Sequence, residues 1–187
     1  MFKKRNYWDS VSDQISYLFR RTFTKDMSIL EIGFGGGHFL EWLWAHGYRT
    51  ISGIEIRENQ YNETLEQFKK KKLPVELING DVLNHKKHYD AVYSTGLIQC
   101  LNPQQRLFFF EHVSTIANVA IFTVPEILEN RNMESNQLTA VAGCKEYKTG
   151  NIPYELSRFY DVVHVGKIDK EVTHIEDTFI YYICRKG

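Results

Sequence analysis

The sequence predicts an α/β domain built on a mostly parallel sheet, and three observations carry that expectation. Short apolar runs bounded by turn residues alternate with stretches whose apolar residues recur at helical spacing; strands alternating with helices wind a parallel sheet through right-handed crossovers. Four glycines within five residues, Gly33, Gly35, Gly36 and Gly37, stand between the first apolar run and the helical pattern that follows it. At 187 residues, with 43% hydrophobic and 14% aromatic content, the chain is long enough for one well-buried domain and short for two.

The elements follow in order. Residues 7–23 place Ile15, Leu18 and Phe19 at helical spacing, with Val11 one turn earlier, which predicts a helix outside the sheet. "SILEIG" is a short buried strand. Phe39, Leu40, Leu43 and Trp44 then recur with helical period, and Gly47 supplies the C-terminal cap. "RTISGIEI" is the second strand, and "ENQYNETLEQFKKKK" is a helix that Pro74 stops. "PVELI", "YDAVYS" and "NVAIFTV" are three further strands. The helix "PQQRLFFFEHVSTI" lies before the last of them, with Pro103 in the first turn, where proline is tolerated. Residues 126–152 give no clean period. "PYELSRFYDVVHVG" reads as a short helix into a strand, and "DTFIYYICRK" as a closing strand.

Composition narrows the function. Lys+Arg and Asp+Glu balance at 23 each, so there is no overall basic field to hold a polyanion, which argues against a dedicated nucleic-acid binder. Cys100, Cys144 and Cys184 are far apart and lack metal-ligand spacing, which reads as reduced thiols in a cytoplasmic protein. The N-terminus has a basic start without an apolar core behind it, and no run approaches the roughly 18 apolar residues of a membrane span. Lysines 69 to 72 close a helix, where they complement its dipole and stay solvated.

The glycine cluster carries the chemistry. A glycine turn between strand and helix aims backbone N–H groups at whatever lies over the strand's carboxyl end. The dinucleotide fingerprint G-x-G-x-x-G fits Gly33 and Gly35, but its third glycine falls on His38. What stands instead is E-x-G-x-G-x-G: Glu31, Gly33, Gly35 and Gly37. With "LEIGFGGGHFL" the sequence resembles the class I S-adenosylmethionine-dependent methyltransferases, whose first motif it matches over these residues. The resemblance runs in register over residues 28–125 and more loosely over the final two strands. It implies a Rossmann-like three-layer α/β/α sandwich with a seven-stranded sheet in the order 3-2-1-4-5-7-6, the last strand antiparallel. It also implies S-adenosyl-L-methionine as cofactor. Glu31 then holds the cofactor's amino-acid end, and the glycines keep side chains out of its way. A ligand carrying an ammonium and a sulfonium suits a nearby carboxylate and has no phosphate needing the third dinucleotide glycine.

Glu55 follows Gly33 by 22 residues, close to the spacing at which an acid ending the second strand accepts hydrogen bonds from both ribose hydroxyls. By the same resemblance Ile56 packs beside the adenine, Asp81, with Val82 beside it in "INGDVLN", accepts from the adenine amino group, and Ser94 and Thr95 border the cofactor. Gln99 reaches towards the acceptor. Gln99 and His38 are the candidates for a part in catalysis, and no Asp/His/His metal cluster emerges.

The expected organisation is a single domain over residues 1–187. Residues 1–25 form a helical lid, 28–125 the cofactor-binding core, 126–152 an acceptor-side insertion, and 153–187 the closing helix and strands. Tyr7, Trp8 and Tyr17 of the lid, with Gln99 and Tyr147, are the acceptor-side candidates, because mobile cover suits a group that must enter and leave. The function expected is methyl transfer to an O or N of a small-molecule acceptor by in-line displacement. An RNA or protein methyltransferase, or a non-catalytic cofactor-binding regulator, is the alternative.

Overall fold

The computed structural model describes residues 18–125, 151–168 and 179–187. Seven strands form one sheet: β1 (Ile29–Ile32), β2 (Ile51–Glu55), β3 (Glu76–Asn79), β4 (Tyr89–Thr95), β5 (Ala117–Pro125), β6 (Asp161–Ile168) and β7 (Phe179–Arg185). Their order is β3-β2-β1-β4-β5-β7-β6. Strands β1 to β5 run parallel, and β7 is inserted antiparallel between β5 and β6. Helices α1 (His38–Ala45), α2 (Glu58–Lys71), α3 (Pro103–Ile116) and α4 (Ile152–Ser157) flank the sheet, and residues 18–22 are helical. This is the Rossmann-like sandwich, with the expected strand order and the expected inverted strand.

Burial explains why the central strands read as apolar runs. All four residues of β1 and all five of β2 are buried, as parallel strands covered on both faces are. Leu30 and Ile32 pack on one face with Phe109, Phe110 and Val113 of α3 and Leu156 of α4. Ile29 packs on the other with Phe19, Phe39 and Leu43, so the two-residue alternation puts Glu31 on the α1 side. Phe19 meets Tyr93 of β4 edge-on at 4.9 Å between centroids, which ties residues 18–22 over the sheet. Asp90 accepts from the Ser28 N–H and hydroxyl, both at 2.7 Å, and fastens the starts of β1 and β4 together.

Helix ends follow local chemistry, with one departure. Helix α2 ends at Lys72, in the left-handed region at φ 53°, before the chain reaches Pro74. Lys69 and Lys71 near its end pair with Glu66 and Glu41. Helix α3 begins with Pro103 inside a reciprocal cap between Asn102 and Gln105. From its first turn the fully buried Arg106 reaches Glu155 of α4 through two hydrogen bonds, at 2.6 and 2.8 Å, and the Leu101 carbonyl at 3.0 Å. One expectation is corrected: Cys100 is disulfide-bonded, not a reduced thiol. Three scattered cysteines carry no pairing information in their spacing. Cys184 is free and buried, and burial pushes its thiol up to about 12. Among the described residues no helix is long and apolar enough to cross a membrane.

Candidate functional site

The carboxyl ends of β1, β2, β3 and β4 surround a pocket of about 630 Å³. The turn after β1 forms its inner edge. Gly33, Gly35 and Gly37 all have positive φ, at 76°, 49° and 71°. Their reasons differ. A Cβ on Gly37 would stand 2.7 Å from Thr64 Cγ2 and 2.8 Å from the Phe68 ring, so this glycine lets α2 pack against the turn and is not kept small for a ligand. Thr64 completes that junction by donating to the Gly35 carbonyl at 2.7 Å. At Gly33 a Cβ would meet only Leu97, at 3.8 Å.

Glu55, at the end of β2, lines the pocket with its side chain 2% exposed. Asn79 Nδ2 and the Gly80 N–H both donate to its carbonyl, locking the end of β2 to that of β3. Its carboxylate accepts from the Gly35 N–H at 3.0 Å, from the Arg57 N–H at 3.0 Å and from Arg57 Nε at 3.1 Å. Burial pushes the Glu55 carboxyl up, but the hydrogen bonds from Arg57 and Gly35 outweigh it and hold the group below the ordinary glutamate range. Ile56 lies beside it, exposed at the pocket rim. Asp81 lines the opposite side and caps the short turn Val82–Asn84 by accepting from the Leu83 N–H at 2.9 Å.

Glu31 behaves differently. It is buried, one of its oxygens has no hydrogen-bond partner, and it is not among the residues that line the pocket. Burial pushes its carboxyl well above the ordinary range; a hydrogen bond from the Leu40 backbone only partly offsets that, and the charge of Glu55 adds to it. Among the described residues the only other buried side-chain oxygen or nitrogen left without a partner is Oε1 of Gln99, in the turn after β4.

The pocket thus brings together Gly33, Glu55, Ile56, Asp81, Val82 and Thr95 from the expected set. Gly35, Gly37, Glu31 and Gln99 are not among its lining residues. Ser94 is fully buried and spends its hydroxyl on the Ile32 carbonyl at 3.1 Å, joining β1 to β4. His38 is exposed at the first position of α1 and outside the lining. Tyr7, Trp8, Tyr17 and Tyr147 lie outside the described residues. Sequence reasoning missed Arg57, and it missed the wall that α3 supplies through Gln105, Phe108 and Phe109. Arg57 carried a local signal, a cation two residues after the acid that ends a strand. The α3 residues carried none, because only tertiary packing brings that helix to the end of β3. No group of three His, Cys, Asp or Glu side chains among the described residues is placed to hold a metal ion.

A family profile described as a methyltransferase domain matches residues 29–118, the stretch that builds β1 to β4 and their glycine turn. Those residues form a methyltransferase domain, and the fold is that of the S-adenosylmethionine-dependent methyltransferases. Solved structures repeat the methyltransferase fold at low identity. The PH0226 protein from Pyrococcus horikoshii OT3 is 15% identical with a TM-score of 0.76, over 96% of this chain and 91% of that one. Magnesium protoporphyrin IX methyltransferase from Synechocystis PCC 6803, with bound S-adenosylhomocysteine, is 12% identical with a TM-score of 0.76, over 100% and 90%. The glycopeptide N-methyltransferase MtfA, complexed with S-adenosylhomocysteine, is 12% identical with a TM-score of 0.73, over 100% and 94%. No curated protein sequence matches the chain. The methyltransferase family uses S-adenosylmethionine, and the donor set fits it: a buried carboxyl with one oxygen unpartnered suits a cationic end, and an ionised carboxylate suits neutral hydroxyls.

Proposed function

We propose that this methyltransferase acts on an O or N atom of a small-molecule acceptor by in-line displacement. The observation that carries the proposal is the uncharged polar floor at the ends of β4 and β5. Thr123, 1% exposed, donates its hydroxyl to that of Thr95 in the pocket wall, and the turn holding Gln99 packs against β5. No carboxylate or imidazole among the described residues joins that floor. It suits an acceptor that attacks with its own lone pair, an amine or a carboxylate, for which a protein base is optional. The balanced charge of the chain adds support, since an RNA acceptor favours a basic surface.

Within this reading Glu31 holds the cofactor's ammonium end, Glu55 its ribose, and Asp81 with Ile56 its adenine. Gly33 and Gly35 form the turn along which the cofactor lies. When bound, the cofactor supplies an electrophilic methyl group on a sulfonium. The protein's part is alignment and exclusion of water; orientation supplies roughly 7–11 kcal/mol in such reactions. Gln99, buried with an unused oxygen, orients an N–H or O–H of the acceptor. Acceptor choice is assigned to residues 1–25 and 126–152, which stand outside the regular strand–helix alternation of the sequence. The similar folds serve acceptors as unlike as magnesium protoporphyrin IX and a glycopeptide, so the fold by itself leaves the acceptor open.

The test is a screen of a fractionated cell extract with methyl-labelled cofactor. Label in the small-metabolite fraction supports the proposal. Label confined to RNA or protein overturns the acceptor class, and cofactor binding without label in any fraction points to a regulator.

A further inference from the structure

The carboxylate of Glu55 is already full. A carboxylate offers about four lone-pair positions, and four donors from this chain face them. The Arg57 N–H and Nε both donate to Oε1, at 3.0 and 3.1 Å. The Gly35 N–H donates to Oε2 at 3.0 Å, and Arg57 Nη2 stands 3.4 Å from the same oxygen. Two of the four donors are backbone groups fixed by the end of β2 and the glycine turn, and they stay whatever binds. The other two belong to one guanidinium. Its side chain is 58% exposed, it lines the pocket, and its Nη2 lies 3.8 Å from where a Cβ on Gly35 would stand. The guanidinium therefore lies between Glu55 and the glycine turn, and one rotation into solvent frees one position on each oxygen.

We propose that Arg57 is a positioning residue that occupies the ribose-binding carboxylate before the cofactor arrives, its two side-chain donors standing in for the two ribose hydroxyls. The inference rests on the reading of Glu55 as the ribose acceptor. With its two backbone donors alone, the buried acid would be more easily protonated and less firmly aimed into the pocket. Arg57 keeps Glu55 charged and aimed, then yields two positions to a diol that needs two. The guanidinium is the exposed half of the pair, so it can exchange its place on the buried carboxylate for water. The charged groups acting on Glu55 are Arg57 beside it and Glu31 on the neighbouring strand.

The test is calorimetric titration of the full-length wild type, R57M, R57Q and R57K with S-adenosylhomocysteine from pH 5.5 to 8.5. Wild-type binding comes first; a folded wild type that binds none overturns the reading of the pocket itself, separately from the role of Arg57. At pH 8, R57M and R57Q are expected to bind about three- to fivefold more tightly than wild type, because the internal competitor is gone. As the pH falls they should lose affinity sooner than wild type, since only the two backbone donors are then left to hold Glu55 ionised. R57K, with charge but no fork, should restore the acid side of the profile. Added salt should tighten wild type relative to R57M. Weaker binding by both R57M and R57Q at pH 8 would overturn the proposal and make the guanidinium a direct ligand contact. Unchanged affinity with an unchanged pH profile would overturn it as well, leaving Arg57 a bystander. Each variant's thermal unfolding is measured alongside, and R57Q stands in if R57M fails to fold.

Discussion

Glu31 and Glu55 stand near the carboxyl ends of neighbouring strands of the same sheet, are both buried, and are treated in opposite ways. Glu55 is supplied with donors by Arg57 and Gly35 and is held ionised. Glu31 has no cation beside it, keeps an oxygen without a partner and is pushed towards its neutral form. Both side chains are closed off from solvent, but Glu31 lies deeper in the protein and lacks the donors that Glu55 has, and the two differences together separate them. A site built for a zwitterionic ligand with a diol needs such a pair. The acid that will meet an ammonium can wait without a partner, because the ligand brings the charge. The acid that will meet neutral hydroxyls has to carry its charge already, because hydroxyls cannot ionise it.

The largest expected effect follows at Glu31. Glu31→Gln keeps the shape and removes the charge that an ammonium would meet. A hydrogen bond to a charged group is worth about 1.5–3 kcal/mol, so affinity for S-adenosylhomocysteine should fall about 10- to 100-fold. Stability at pH 6 should change by no more than about 1 kcal/mol, since the buried carboxyl is already pushed towards neutrality. Glu55→Gln should cost about tenfold in affinity, and the Gly35 N–H and the Arg57 guanidinium lose a charged acceptor, so stability should fall by about 1–2 kcal/mol. Calorimetry and denaturant unfolding measure both. If the two variants lost affinity and stability in the same proportion, the contrast between the corners would be broken.

pH dependence separates them further. The folded-state value of Glu31 is raised, so its contribution to stability is present below the unfolded value and lost as pH rises through the folded one. That of Glu55 is lowered, so its contribution is present above the unfolded value and lost as pH falls through the folded one. Glu31→Gln should flatten the alkaline limb of the stability curve, and Glu55→Gln the acid limb. A ligand ammonium also ionises Glu31, so binding should release a proton between the ordinary carboxylate range and the raised value. Titrations in buffers of different ionisation enthalpy would report that release in wild type and lose it in Glu31→Gln. Heats independent of buffer would mean that no proton leaves Glu31 on binding.

Much of this was legible in the sequence, for identifiable reasons. Buried parallel strands such as Ile29–Ile32 read as unbroken apolar runs, and the glycine turn announced itself through four residues that no ordinary loop needs. The strand order came from the resemblance, since periodicity does not say which strand pairs with which. The sequence could not show that Gly37 serves the packing of Phe68 and Thr64, that the Ser94 hydroxyl is spent on Ile32, or that Cys100 is bonded. Each depends on which residue lies opposite in space. Arg57 was missed because its local signal, a cation two residues after the acid that ends a strand, is common, and the distances to both oxygens of Glu55 are what give it meaning.

Asp81 tests whether charge matters at a third corner, and the effect expected there is the smallest. Its Oδ1 already accepts from the Leu83 N–H at 2.9 Å and caps the turn that carries Val82 into the pocket wall. Asparagine caps such turns about as well as aspartate, so Asp81→Asn should leave the turn and the fold intact. A neutral adenine amino group gives up little when its acceptor changes from carboxylate to amide oxygen. A net neutral hydrogen bond is worth about 0.5–1.5 kcal/mol, and only part of it is at stake, so affinity for S-adenosylhomocysteine should fall no more than about threefold. Asp81→Ala, which removes the acceptor and the cap together, should cost more in both affinity and stability. If Asp81→Asn alone lowered affinity more than about twentyfold with the fold intact, the ligand would be presenting positive charge at Asp81. The cationic end would then lie at Asp81 and not at Glu31, and the assignments of Glu31 and Asp81 would have to be exchanged.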